Sequence, residues 1–284
     1  MLYSRVEDTH FPQNRYLRLR NGIFDLNTPR IMGILNLTDD SFFEESRISS
    51  KKQLLSQAIK MTEEGADILD IGACSTRPGS KAVPLKDEIN KITEGLNALR
   101  KELPAAIISV DTFNAETARA AADCGADMIN DISGGGYDPG MFRAMGEIKL
   151  PYILTHVQGT PENMQDSPSY TNVFMDVTNY FSEKIARLKE EGVHDILLDP
   201  GFGFGKTTEQ NYELLQSLDQ FRIFGRPIVV GVSRKSMIYT KLGLTPAEAL
   251  NGTTCLNTFA LTKGACILRV HDVKEAVQII SLLG

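Results

Sequence analysis

The 284-residue chain has no excess of positive charge: 30 Lys and Arg stand against 36 Asp and Glu, a net charge of −6. The cationic field that gathers nucleic-acid backbones or anionic membrane surfaces is therefore missing. An anionic ligand would have to be held by locally placed donors. Cysteine is scarce and scattered: Cys74, Cys124, Cys255 and Cys266 form no Cys-x-x-Cys pair, and there are only four histidines. This spacing fits reduced thiols rather than a disulfide frame or a zinc site. No apolar run approaches the roughly 18 residues of a membrane span. The start, MLYSRVEDTH, places charges where a secretory signal needs an apolar core. A cytoplasmic location is expected, in which the Asn-x-Thr triplets at 36–38 and 251–253 carry no glycan.

The remainder is ordinary for a globular protein, with 42% hydrophobic and 23% charged residues and no composition break marking a linker. Residues 1–30 hold two short alternating runs, Tyr16-Leu17-Arg18-Leu19 and Ile23-Phe24-Asp25-Leu26, around Asn21-Gly22. That is a hairpin signal, and the segment is expected to lie as a lid over one end of the domain built by the rest of the chain.

Over 31–284 a short apolar run, a polar or glycine-rich turn and a helical stretch alternate. The runs are 31–35, 68–71, 107–110, 128–129, 152–154, 196–198, 228–231 and 267–270. Helical spacing covers 52–64, 115–124, 173–191 and 272–283, among others. Gly65-Ala66-Asp67, Gly125-Ala126-Asp127 and the variant Gly264-Ala265-Cys266 read as helix ends leading into strands. Eight strand–helix units in about 250 residues imply a single (β/α)8 TIM barrel, α/β in class, with a short N-terminal hairpin. An open doubly wound sheet would need a glycine loop after its first strand, where Asn36-Leu37-Thr38-Asp39 offers none.

Barrel enzymes work at the C-terminal ends of the strands. The positions just past the runs hold Asn36, the 72–79 segment with Ser75, Thr76, Arg77 and Pro78, then Asp111, Asn130-Asp131, His156, Asp199, Ser233 to Ser236, and Arg269 with His271. Any one Asp or Asn there reads first as a helix cap or turn former; eight polar strand ends on one rim exceed what capping requires. Gly203 to Thr207 ends like a phosphate-binding loop, but residue 200, where its first glycine belongs, is proline. Lys235 alone could be an aldolase-type Schiff-base lysine. His10 and His194 read as surface residues, Met141, Met145 and Met164 as packing or loop residues, and His156 fits a core or a site role equally.

Eight segments taken together resemble the dihydropteroate synthase family, and they run in the family's order from residue 33 to residue 272. They are Gly33 to Thr38; Asp70-Ile71-Gly72 with Ser75 to Gly79; Ser109 to Thr112; Ile129 to Gly134; His156 to Gly159; Asp199 to Lys206; Gly231 to Ser236; and Arg269 to Asp272. The resemblance implies condensation of 6-hydroxymethyl-7,8-dihydropterin pyrophosphate with p-aminobenzoate. It implies pterin contacts from Asp111, Asn130, Asp199 and Lys235, with Ile132, Phe204 and Gly231 lining the pocket. Asn36, Arg269 and His271 would hold the pyrophosphate, with Mg²⁺ beside Asn36, and Asp40 would join Asp111 and Asp199 in favouring a cationic pterin. Ser75, Thr76, Arg77 and Pro78, with Phe202, Lys235 and Ser236, would receive p-aminobenzoate. Sulfonamides, which mimic that substrate, target the family, and its members are homodimers, for which helical units around 250–262 and 273–283 could supply an apolar face. The chain departs from the family at Thr38 to Glu45, which lacks the usual proline and glycines, and at Cys74, where glutamate is common. A pterin-binding corrinoid-dependent methyltransferase and a non-catalytic pterin-binding protein are the competing readings.

Overall fold

A computed structural model describes residues 13–37, 44–73, 83–159 and 168–283, with backbone alone over 44–50. Two strands, β1 (Tyr16–Leu19) and β2 (Gly22–Asp25), form an antiparallel hairpin. Eight more build one parallel sheet: β3 (Arg30–Asn36), β4 (Ile68–Gly72), β5 (Ile107–Asp111), β6 (Met128–Asp131), β7 (Tyr152–Thr155), β8 (Ile196–Asp199), β9 (Val229–Val230) and β10 (Ile267–Val270). Their spatial order is β8-β7-β6-β5-β4-β3-β10-β9. A parallel bridge between Leu198 and Ile228 joins the two ends and closes the barrel. Each of these eight strands is nearly continuously buried and apolar towards its start, as befits a parallel sheet covered on both faces.

The helices expected from spacing are present: α1 (Glu44–Glu63), α3 (Ala115–Asp123), α5 (Val173–Glu190) and α9 (Val273–Leu283). They are joined by α2 (Leu85–Glu102), α4 (Met141–Ile148), α6 (Thr208–Gln216), α7 (Ser236–Leu242) and α8 (Leu250–Thr262). The glycine junctions work as read. Gly65, Gly125 and Gly264 have φ of +100°, +96° and +93°. In each case the next N–H returns to a carbonyl five residues back, from Ala66 to Met61, Ala126 to Ala121 and Ala265 to Ala260. Where aspartate follows, its carboxylate fastens the neighbouring strand: Asp67 accepts the Ile31 N–H at 2.8 Å and Asp127 that of Ile108 at 2.9 Å.

The hairpin sits at the N-terminal mouth of the barrel. Leu17, Phe24 and Leu26 pack on Met32, Ile68, Met128, Ile153, Leu197, Val229 and Ile267, one inward-facing residue near the start of seven strands. The expected lid is thus a bottom plug, and its turn is displaced by one residue. Leu19 pairs with Gly22, so the central residues are Arg20 and Asn21 rather than Asn21 and Gly22. Neither has positive φ, whereas Gly22, at +142°, opens the returning strand. Arg20 donates from Nη1 to the Gly125 carbonyl at 2.8 Å, which ties the turn to the α3–β6 junction.

That bottom layer sets the phase of everything above it. Side chains alternate with period two along a strand, so the residues two and four further on also face the barrel axis. Counting up from Met32, Ile68, Ile107, Met128, Ile153, Leu197, Val229 and Ile267 gives Asn36, Asp70, Ser109 and Asp111, Asn130, Thr155, Asp199, Gly231, and Arg269 with His271. The apolar floor gives way to a polar layer at the opposite mouth.

Candidate active site

Four side chains of that polar layer form one connected chain. Asp70, fully buried, accepts from Asn130 Nδ2 at 3.0 Å and from Arg269 Nε at 2.6 Å through the same oxygen, Oδ2. Arg269 then donates from Nη2 to Asp111 Oδ2 at 2.7 Å. Burial disfavours the Arg269 charge, but Asp70 and Asp111 outweigh it and the guanidinium is held protonated beyond its ordinary range. One cation shared by two carboxylates cannot fully neutralise both. Asp111 is accordingly pushed up to about 7, by burial first, with Arg269 opposing and Asp70, Asp131 and Glu88 reinforcing. Glu88 also fixes the turn beyond Asp111, accepting from Thr112 Oγ1 at 2.6 Å and from Asn114 Nδ2.

The far wall comes from β8 and the loop after β9. Asp199 accepts the Gly201 N–H through Oδ1 at 2.8 Å; burial raises its pKa, against the pull of Lys235. Lys235 donates to the Phe202 carbonyl, lies 4.5 Å from the centre of the Phe204 ring, and is brought down to about 8 by burial despite Asp199. Phe204 packs with Ile132, Phe113 and Val157 in a small apolar cluster at this mouth. Gly231 leaves space: a Cβ there would stand 3.7 Å from Arg269 Cβ and 3.9 Å from Lys235 Nζ. A slot bounded by an apolar ring, two ammonium or guanidinium groups and three buried carboxylates suits a flat heterocycle edged with N–H donors and ring acceptors.

The expected residues therefore divide by position. Asp111, Asn130, Asp199, Lys235, Arg269, Gly231, Ile132 and Phe204 meet at one mouth. His271 is on the same rim, exposed along one side, with its N–H donating to Ser233 Oγ at 3.2 Å and Nδ1 3.3 Å from that oxygen. Desolvation, then Arg269, lowers it to about 4, so near neutral pH it is an uncharged imidazole. Asn36 stands exposed at the end of β3, three residues beyond the Gly33–Val270 pair that joins β3 to β10. Phe202 turns its ring into the core with no exposed area and reaches the site through its carbonyl alone. Ser236 is exposed at the first turn of α7. Asp40, Ser75, Thr76, Arg77 and Pro78 lie outside the described residues. Among the described residues no group of three His, Cys, Asp or Glu converges as metal ligands.

Two residues of the site carry no mark just past an apolar run. Asp70 stands inside its run, and only the strand's two-residue phase aligns it with Asn130 and Arg269. Lys206, from the rejected phosphate-loop pattern, is buried and donates to the carbonyls of Gly201 at 2.9 Å, Phe204 at 3.0 Å and His156 at 3.4 Å. It pins the loop carrying Phe202 and Phe204, whose Gly201, Gly203 and Gly205 have φ of +69°, +81° and +58°. A Cβ on Gly201 would come within 1.9 Å of the His156 carbonyl oxygen, so the close approach requires glycine. His156 itself is a core residue, buried edge-on against Tyr180 at 4.8 Å and kept neutral by burial.

The family model for pterin binding enzymes matches residues 32–271, nearly the whole barrel. Dihydropteroate synthase of Escherichia coli (strain K12) is 43% identical over 256 residues, which cover 89% of this chain and 90% of that protein. The chain belongs to the dihydropteroate synthase family. The Synechocystis dihydropteroate synthase is 42% identical over 252 residues, 88% of this chain and 87% of its own length. Among solved structures, the Yersinia pestis dihydropteroate synthase in a sulfonamide drug complex superposes with a TM-score of 0.88 at 38% identity, covering 94% of this chain and 98% of that one. The Xanthomonas albilineans dihydropteroate synthase with 4-aminobenzoic acid gives 0.87 at 36% identity, covering 95% and 97%. The residues expected to contact a pterin ring, Asp111, Asn130, Asp199 and Lys235, all fall on the described mouth of this barrel.

Proposed function

We propose that the chain is a dihydropteroate synthase, joining 6-hydroxymethyl-7,8-dihydropterin pyrophosphate to p-aminobenzoate and releasing pyrophosphate in folate biosynthesis. The observation that carries this reading is the Asn130–Asp70–Arg269–Asp111 network facing Asp199 and Lys235 across one mouth. Asp111 and Asp199 accept from the N–H edge of the pterin, and Asn130 and Lys235 complete its pattern. Asn36, Arg269 and His271 receive the pyrophosphate. Arg269 gives two donors to carboxylates, and His271 offers its imidazole as a hydrogen-bonding group. The p-aminobenzoate ring lies by Phe204 and Lys235, towards Ser236 and the loop of Ser75, Thr76, Arg77 and Pro78.

The aromatic amine attacks the pterin CH₂ carbon as the C–O bond to pyrophosphate breaks, and the nitrogen then loses a proton. An aniline nitrogen is already neutral near pH 7, so the barrier lies in the departing bond rather than in exposing the lone pair. Arg269 offsets charge growing on the leaving group, while Asp111, Asp199 and Asp40 favour the electron-poor pterin. Among the described residues Asn36 offers one hard amide oxygen with no acidic cluster beside it, a donor that would suit a Mg²⁺ ion arriving with a pyrophosphate group. When bound, that ion withdraws electron density from the leaving group.

Exposed Phe259 on α8 and Leu282 on α9 support a homodimer through those helices. Free Cys124, Cys255 and Cys266 support a reducing, cytoplasmic setting. Sulfonamides are expected to compete with p-aminobenzoate. The decisive test mixes the purified chain with pterin pyrophosphate, p-aminobenzoate and Mg²⁺ and follows both pyrophosphate and dihydropteroate. Absence of product points to corrinoid-dependent methyl transfer or passive pterin binding. Arg269→Ala is expected to lower turnover by about a hundredfold or more. Retained turnover with unchanged pterin pyrophosphate binding removes the role given to Arg269.

A further inference from the structure

One inward-facing hydroxyl of the polar layer has no task in the site as described. Thr155 ends β7, and the two-residue phase that begins at Ile153 in the barrel floor turns its side chain towards the axis. On one side β8 sets it level with Asp199. On the other, β6 pairs Asp131 with Leu154, so one step further Ile132 stands beside Thr155. Asp199 and Ile132 both wall the slot, and Thr155 lies between them.

Its hydroxyl is unmatched. Thr155 is 1% exposed, and Oγ1 is buried with no hydrogen-bond partner among the described residues. The backbone holds the residue in place: its carbonyl accepts from Tyr180 Oη at 3.0 Å, and the next N–H, that of His156, donates to the Asp199 carbonyl at 2.9 Å. The methyl faces the loop after β8, where a Cβ on Gly201 would stand 3.3 Å from Thr155 Cγ2. The hydroxyl takes another direction from an inward-pointing Cβ. A buried hydroxyl left unpaired costs free energy, and valine would fill the same shape without that cost. Packing therefore does not account for a threonine here. Nor does its burial set it apart from the slot, since Asn130 and Asp199 are themselves only 2% and 6% exposed. Ser109 Oγ also lacks a partner, but β6 sets Ser109 level with Met128, in the apolar floor.

We propose that Thr155 is a specificity-determining residue of the heterocycle slot, its hydroxyl donating to a ring acceptor of the bound pterin. This deepens the synthase reading and rests on its pterin half. Along a pterin edge N–H groups alternate with ring nitrogen and carbonyl acceptors, so a donor beside the Asp199 carboxylate meets an acceptor next to the N–H that Asp199 takes. The ligand completes a hydrogen bond that the protein's own groups do not make, and a site built in this way discriminates against heterocycles that cannot complete it.

The test uses the full chain with 6-hydroxymethylpterin, which carries no pyrophosphate, as one probe and inorganic pyrophosphate plus Mg²⁺ as the other, each titrated by calorimetry. Thr155→Val keeps the shape and removes the donor. It is expected to weaken the pterin about tenfold while leaving pyrophosphate within about twofold. Thr155→Ser, which keeps the hydroxyl, should stay within about threefold of the unaltered chain for the pterin. Without ligand, Thr155→Val is expected to melt no more than about 2 °C below the unaltered protein, because the bond it removes is made to the ligand and not to the fold. Unchanged pterin affinity in Thr155→Val overturns the proposal. So does an equal loss for both probes, or a clearly lower melting temperature without ligand, either of which a merely structural hydroxyl would give. If the unaltered chain binds no pterin, the synthase reading has failed and this assignment falls with it.

Discussion

At the scale of single residues the site is governed by how little positive charge serves how many carboxylates. Asp70 is the pivot, because its Oδ2 holds both Asn130 and Arg269 and its charge is one of those raising Asp111. Asp70→Asn removes that charge while keeping an oxygen acceptor, leaving Arg269 to act on Asp111 alone. Both effects favour ionised Asp111, so the acid limb of pterin binding is expected to move down by about one pH unit. Calorimetric titration with a pterin lacking the pyrophosphate, repeated across pH, measures it; an unmoved limb means Asp70 does not control Asp111. Asp70→Leu is a different experiment, since it strands a buried cation and amide and is expected to cost about 3 kcal/mol or more of stability. The strand-end residues Asp111, Asn130, Asp199 and Arg269 were legible in the sequence because polar groups at the end of an apolar run stand out. Asp70 was not, since its reason for being buried, Arg269, lies 199 residues along the chain. Arg234 and Asp272 stand inside sequence motifs, but the forked ion pair between them exists only once β9 and β10 are paired.

At the scale of elements, strand identity was readable because buried parallel strands are short β-branched and aliphatic runs, and helix ends because glycine and aspartate recur at them. The role of the first strands was only half readable. Alternation in 16–26 predicts a hairpin, but which end it covers depends on which barrel residues are left apolar, and those are the first inward-facing residues of the strands. Its one-residue turn shift likewise follows from Arg20 bonding to Gly125, a tertiary contact that outweighs the local Asn-Gly preference. Because the hairpin plugs the mouth opposite the polar layer, it should govern stability and not substrate affinity. Leu17 has no exposed area and packs in that floor, so Leu17→Ala is expected to cost about 3 kcal/mol of unfolding free energy. Chemical denaturation gives the loss, and KM values for both substrates under folding conditions should stay as they were. A selective rise in one KM would show that the hairpin reaches the site.

At the scale of the whole molecule the barrel separates an apolar floor from a polar mouth by a few residues of strand, and the groups at that mouth are shifted towards one another in pKa. The carboxyl of Asp111 goes up to about 7, chiefly through burial, and the ammonium of Lys235 comes down to about 8, also chiefly through burial. The pterin edge needs Asp111 ionised to accept and Lys235 protonated to donate. Below about 7 Asp111 takes a proton and loses its acceptor role; above about 8 Lys235 gives one up and loses a donor. Affinity for a pterin without pyrophosphate is therefore expected to peak between these values and to fall by roughly tenfold per pH unit on either side. Using the pterin alone keeps phosphate ionisation out of the measurement. Lys235→Arg separates the limbs, because arginine stays protonated and its alkaline limb should vanish even if affinity at the peak is lower. The acid limb, which belongs to Asp111, should remain. A profile flat through both values, or an alkaline limb that persists in Lys235→Arg, would mean that these two groups do not set the charge state in which the pterin is bound.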